Sequence, residues 1–147
     1  NRRYVSLGFQ NEEGGWEIRN PYFKGCVAPK SISFVRANHE FPKKIHVFEG
    51  FKDFLSCVTQ NKNGCLDGDV IVLNSISCLR QVYPYIRDYS YNSLYSWLDN
   101  DDSGVNATNE LSEFIKTQTG LTLHRMNNHY SGHKDVNAWH MKQRGLV

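Results

Sequence analysis

The sequence predicts an α/β domain: a central, mainly parallel four-stranded sheet flanked by helices, preceded by a small antiparallel β unit. Three observations predict it. Short apolar runs alternate with helix-length segments from residue 45 onward, the rhythm of β-α-β units. Residues 1–36 carry turn-punctuated strand patterns and no helical one. Acidic residues follow several of the expected strands, and in parallel sheets ligands bind at the strands' carboxyl ends.

The elements follow in order. Residues 4–10 and 15–20 read as strands joined by Asn11-Glu12-Glu13-Gly14, and Ser31 to Val35 reads as another. A connector over 37–44 leads to Ile45-His46-Val47-Phe48, the first strand of the main sheet. Phe51, Phe54, Leu55 and Val58 then recur at helical spacing. Residues 69–74 read as a second, buried strand, and a helix is expected over 77–88 with Leu79, Val82, Tyr83 and Ile86 on one face. Residues 94–98 give a third strand, 105–118 a helix, 121–126 a fourth strand, and a last helix starts near Asp135. Two units are expected, a basic β subdomain over 1–43 and the α/β domain over 44–147.

The chain has 147 residues and a net charge of +2, a size suited to one ordinary core. The charge is unevenly placed. Residues 1–44 hold eight Lys/Arg against four Glu, while 45–147 hold nine against eleven acids. A basic front and an acidic back suit a protein that grips phosphate with one part and cations with the other. The same basic segment also reads as a solvated surface. No apolar run approaches the ~20 residues of a membrane span, and no leader is read at Asn1-Arg2-Arg3-Tyr4. Cys26, Cys57, Cys65 and Cys78 form no C-x-x-C pair, which fits reduced thiols in a cytoplasmic protein.

Three short segments carry the chemistry. In Glu49-Gly50-Phe51-Lys52-Asp53, the second acid lies one helical turn after the first. Alone, it also reads as a helix-start acid favoured by the macrodipole. In Asp99-Asn100-Asp101-Asp102-Ser103-Gly104, two carboxylates follow a strand one residue apart. A bound cation offsets their repulsion, and hard oxygen donors point to Mg²⁺ or Mn²⁺. Residues 99–110 also fit a calcium loop, with Glu110 at its twelfth position, although Asn106 stands where an aliphatic residue is usual. In His133-Lys134-Asp135-Val136-Asn137, Asp135 is a further acid or a helix N-cap.

Together, IHVFEGFKD, LYSWLDNDDSG and HKDVN resemble the Toprim family over roughly residues 44–142. That family, with its Rossmann-like fold, includes bacterial-type primases, topoisomerases, recombination mediators and maturation nucleases. The E-G-x-x-D and D-N-D forms look most like a bacterial-type DNA primase core, and DND-S-G with KDVN looks like primase-like proteins of Bacteroides-type mobile elements. GGWEIRN is similar to the strand bearing a primase I-R-D motif, which places Arg19 as a phosphate-binding arginine, with Lys24 and Lys30 nearby. The resemblance implies primer synthesis on a single-stranded DNA template from nucleoside triphosphates, with Mg²⁺ or Mn²⁺ held by Glu49, Asp99, Asp101 and Asp135. Catalytic roles fall to Glu49, Asp53, Asp99 and Asp101, Glu49 being base or ligand. Asn137 replaces the second acid of the primase D-P-D motif, and Lys52 stands where primases favour an apolar residue. No zinc-binding or helicase-binding module is read, so a fragment is expected, with a helicase or other replication protein as partner through regions elsewhere. A metal-dependent nuclease on the same fold and a non-catalytic nucleic-acid- or calcium-binding module are the alternatives.

Overall fold

The computed structural model describes residues 3–147, so Asn1 and Arg2 of the basic front lie outside the described residues. Strands β1 (Leu7–Gln10), β2 (Trp16–Arg19) and β3 (Lys24–Val27) form an antiparallel sheet in chain order. Strands β4 (Ser33–Val35), β5 (Lys44–Phe48), β6 (Asp69–Val72), β7 (Ser93–Trp97) and β8 (Thr122–Arg125) form a second sheet, in the order β4-β6-β5-β7-β8. All its pairs are parallel except β4–β6.

The mainly parallel sheet, its flanking helices and the antiparallel unit are as expected. Two details differ. The central sheet has five strands, because Ser31 to Val35 leaves the N-terminal unit and pairs antiparallel with β6. Its place in the N-terminal unit is taken by Lys24–Val27, which alternates too weakly to read as a strand. Partner choice is decided by packing. Ser31 Oγ donates to Gln81 Oε1 (2.9 Å), and Asn74 Nδ2 donates to Ser33 Oγ (2.9 Å), tying this segment to the main sheet.

Period-two alternation builds a three-layer sandwich. Ile45, Val47, Ile71, Leu73, Leu94 and Leu98 face one core. It is covered by a 3₁₀ turn (Ile76–Gln81), α2 (Val82–Arg87) and α3 (Asp102–Lys116). Phe48, Val70 and Val72 face the other, closed by Phe51 and Phe54 of α1 (Phe51–Gln60), against which α4 (Val136–Gln143) packs. His46 is buried on this second face. Its Nδ1 accepts from Trp97 Nε1 (3.1 Å), so Nε2 carries the proton and donates to the Asp67 carbonyl (3.2 Å). Burial accordingly depresses its pKa.

The N-terminal sheet is clamped to the entrance of α1. Phe9 stacks on Phe51 with centroids 5.3 Å apart, and Ser33 Oγ donates to the Gln10 carbonyl (2.8 Å). This docking holds the β2–β3 hairpin beside the carboxyl ends of β5, β6 and β7. Among the described residues, no helix is long and apolar enough to cross a membrane.

Candidate functional site

Glu49 leaves the end of β5, Asp99 lies two residues past β7, and Asp53 stands in the first turn of α1. Glu49 Oε2 accepts from the Asp99 backbone N–H (3.2 Å), and Asp53 Oδ1 accepts from the Asn137 N–H (3.0 Å). Asp101 and Asp135 are helix N-caps: their Oδ1 atoms accept from Gly104 N (3.0 Å) and Ala138 N (2.7 Å). Capping uses one oxygen of each, and Asp101 Oδ2 turns to Lys134. The helix therefore starts at Asp102, and residues 102–110 are helical. A calcium loop over 99–110 is excluded, and Glu110 instead pairs with Arg80 (3.0 Å).

The spacing of the D-x-D-x-x-G segment has a steric cause. A Cβ on Gly104 would overlap the Asp99 carbonyl oxygen and sit 2.8 Å from its carbonyl carbon. The first turn of α3 thus rests directly on the backbone of Asp99. Gly50 has φ −125°, an extended value open to any residue, so it is not needed to turn the chain. Its missing Cβ leaves room for the Asp53 carboxylate, which would lie 3.0 Å away.

Sequence reading missed two positioning residues and one cation. Asn100 N donates to the Lys134 carbonyl (2.7 Å), and its Nδ2 donates to the His133 carbonyl (2.9 Å). These bonds stitch the β7 loop to the loop before α4, bringing Asp135 to Asp99. Lys134 bridges Asp99 Oδ2 (3.2 Å) and Asp101 Oδ2 (3.4 Å). Glu17 is almost wholly buried and binds Lys30 (2.5 Å) and Arg19 (3.4 Å). Arg19 also donates to the carbonyls of Ile18 (2.8 Å) and Gly25 (3.1 Å), and its guanidinium lies over the Phe51 ring. Only the short motif H-K-D hinted at Lys134. Alternation along W-E-I-R points the other way, since it sets the apolar Trp16 and Ile18 inward and Glu17 outward, whereas Glu17 is the buried residue of the strand.

One cleft of about 680 Å³ is lined by Arg19, Lys24 and Lys30 from the N-terminal unit and by Glu49, Asp53, Asp99 and Asp135 from the α/β domain. Asp101 lines the adjoining groove across Lys134. Burial, then the neighbouring Asp99, raises Glu49 to about 7; burial, then Asp135, raises Asp53 to about 7. Burial also raises Asp99, against the opposing Lys134 contact. The Gly104 N–H holds Asp101 below the usual range. Among the described residues no three His, Cys, Asp or Glu side chains form a ready-made ion cage. The donors are hard oxygens with an excess of negative charge, and an ammonium already sits between two of them.

Raised acids bind protons more tightly in the folded state, so stability falls as pH rises through the window between their unfolded and folded values. The metal-free protein is expected to lose on the order of 2 kcal/mol of stability between pH ~4.5 and pH ~7. Asp53→Asn keeps an acceptor for the Asn137 N–H and should flatten that slope. Urea midpoints measured across the window check both statements.

The fold and the acids at its strand ends define a Rossmann-like α/β domain with a carboxylate-rich cleft. The chain belongs to the Toprim-like family, whose model matches residues 46–140. A domain of unknown function, DUF8464, matches residues 1–28. No curated protein matches the chain. Its fold is similar to the primase fragment of the bacteriophage T7 primase-helicase protein, with TM-score 0.66 and 17% identity. That match covers 96% of this chain and 58% of the fragment, so the chain spans little more than half its length. It is also similar to a chain in the assembly of T7 lagging-strand DNA polymerase with primase domains of two gp4 subunits bound to an RNA/DNA hybrid and dTTP. There the TM-score is 0.59 at 15% identity, covering 96% of this chain and 72% of that one.

Proposed function

We propose that this chain is the catalytic Toprim domain of a DNA primase-like protein, joining nucleotides into primers on a single-stranded DNA template. One observation carries the reading: the basic hairpin and the strand-end acids line the same cleft. A cation site alone would not need the cations opposite it, and a phosphate site alone would not need the acids. The neighbour carrying an RNA/DNA hybrid and dTTP supports nucleic acid and nucleoside triphosphates as ligands. In this reading the basic β subdomain over 1–43 lends one strand, Ser33–Val35, to the sheet of the Toprim domain over 44–147. A helicase or other replication protein would act through further regions.

Asp99 and Asp101 would hold Mg²⁺ or Mn²⁺, with Glu49 and Asp135 completing the acidic wall. When bound, the ion lowers the pKa of the attacking 3′-hydroxyl and neutralises phosphate charge. Glu49, raised to about 7, is poised to accept a proton at neutral pH. Asp53 holds α4 in place through the Asn137 N–H, which makes the amide at 137 a partner through its backbone. Lys24 contacts phosphate directly, while Arg19 and Lys30, neutralised in part by Glu17, set the positive wall of the cleft.

Calorimetric titration of Mg²⁺ and Mn²⁺, with dinucleotide formation on single-stranded DNA, tests the reading. Binding with product supports it. Cleavage of the oligonucleotide without joining would replace it by the metal-dependent nuclease. Lys134 competes with the ion for Asp99 and Asp101 but is mostly exposed, so its hold is modest. Lys134→Met is expected to tighten Mn²⁺ binding by about fivefold, read from the same titration.

A further inference from the structure

The tip of the β2–β3 hairpin presents aromatic rings to solvent. Asn20 Oδ1 accepts from the backbone N–H groups of Tyr22 (2.8 Å) and Phe23 (2.9 Å), and Asn20 N donates to the Phe23 carbonyl (3.1 Å). Pro21 fixes the backbone between them. The turn is thus pre-set, yet it buries neither ring: Tyr22 is 81% exposed and Phe23 45%. Tyr4, 56% exposed, meets both edge-on at centroid distances of 6.0 and 6.4 Å. Core packing does not account for three clustered rings held in water, and such a patch marks a binding surface.

Its surroundings select the partner. Tyr22 and Phe23 line the cleft that holds Glu49, Asp53 and Asp99. Lys24 and Lys52, exposed on the same cleft, form no salt bridge among the described residues. Fixed aromatic faces beside unpaired ammonium groups are the chemistry of single-stranded nucleic acid, whose bases stack while its phosphates pair with cations. An apolar protein surface would leave both lysines desolvated without a counter-charge.

We propose that Tyr4, Tyr22 and Phe23 form a base-stacking platform at the mouth of the cleft. It holds unpaired template bases, with Lys24 and Lys52 on the adjacent phosphates. The platform rests on the nucleic-acid reading above and deepens it, since it names the residues that take the bases. Stacking uses the π face common to all bases, so binding there is tolerant of sequence.

Fluorescence anisotropy of labelled oligo(dT) in EDTA tests the platform without metal chemistry. Tyr22→Ala, at an exposed position, should leave the fold intact and weaken binding roughly tenfold, with the salt slope unchanged. Lys24→Ala should make that slope shallower by about one phosphate contact. Tyr22→Trp should keep the affinity and add an indole signal quenched by the oligonucleotide. Equal binding by wild type and Tyr22→Ala would overturn the platform, as would a wild type that binds no oligo(dT). Nucleotidyl transfer by the same proteins with Mn²⁺ separates the two ideas. Joining that persists with unaltered Tyr22→Ala binding sinks the platform alone; a tenfold binding loss without any joining upholds the platform and sinks the primase reading.

Discussion

Asp99→Ala is expected to abolish Mg²⁺ and Mn²⁺ binding and to lower nucleotide joining by at least ~100-fold. Asp99 is the acid most central to the cleft: its backbone N–H holds Glu49, and its carboxylate meets Lys134. The substitution spares that backbone bond, so Glu49 keeps its place. It removes a buried carboxylate whose pKa is already raised, so the metal-free fold should be no less stable. Circular dichroism and urea unfolding would establish that, and calorimetry would read the ion. Activity retained at the wild-type level would sink both the primase and the nuclease readings. Asp101→Ala differs in kind, because it also removes the N-cap of α3 and should cost about 1 kcal/mol of stability.

The second large effect is on the fold. Gly104→Ala is expected to destabilise the protein by about 3 kcal/mol and lower its Tm by roughly 10 °C. Helix propensity alone predicts the opposite sign, since alanine is favoured over glycine by ~1 kcal/mol within a helix. Contact decides the matter. The added methyl would overlap the Asp99 carbonyl oxygen. The helix cannot retreat, because Ala107, Leu111, Phe114 and Ile115 fix α3 against the core. Any relaxation must therefore move Asp99, and ion binding should weaken together with stability. A thermal melt showing a stabilised variant would mean that the first turn of α3 does not rest on that strand end.

Much of this was legible in the sequence. Strand β6 follows from the apolar run Val70–Leu73, since it is buried along its whole length, and β5, β7 and β8 follow from shorter apolar patterns with helix-length segments between them. Glu49, Asp53, Asp99 and Asp135 could be singled out because each lies at a strand end or helix start, and the structure gathers them along one cleft. The D-x-D-x-x-G spacing was visible as a pattern, though its cause was not. Lys24–Val27 escaped detection, since an edge strand exposed on both faces has no apolar alternation to show.

What the sequence determined by itself, then, is what local spacing can carry: which segments are strands, which are helices, and which acids end them. Tertiary structure alone decided the rest. It moved Ser31 to Val35 into the central sheet, because Asn74 and Gln81 supply partners more than 40 residues away. It buried Glu17 between Arg19 and Lys30, placed Lys134 across Asp99 and Asp101, and used Asn100 to join two loops. Apart from the Glu17–Arg19 pair, two residues apart, each of these is a contact between residues well separated along the chain. Their free energy depends on burial and on the geometry of a partner, and neither is written in the spacing of neighbouring residues.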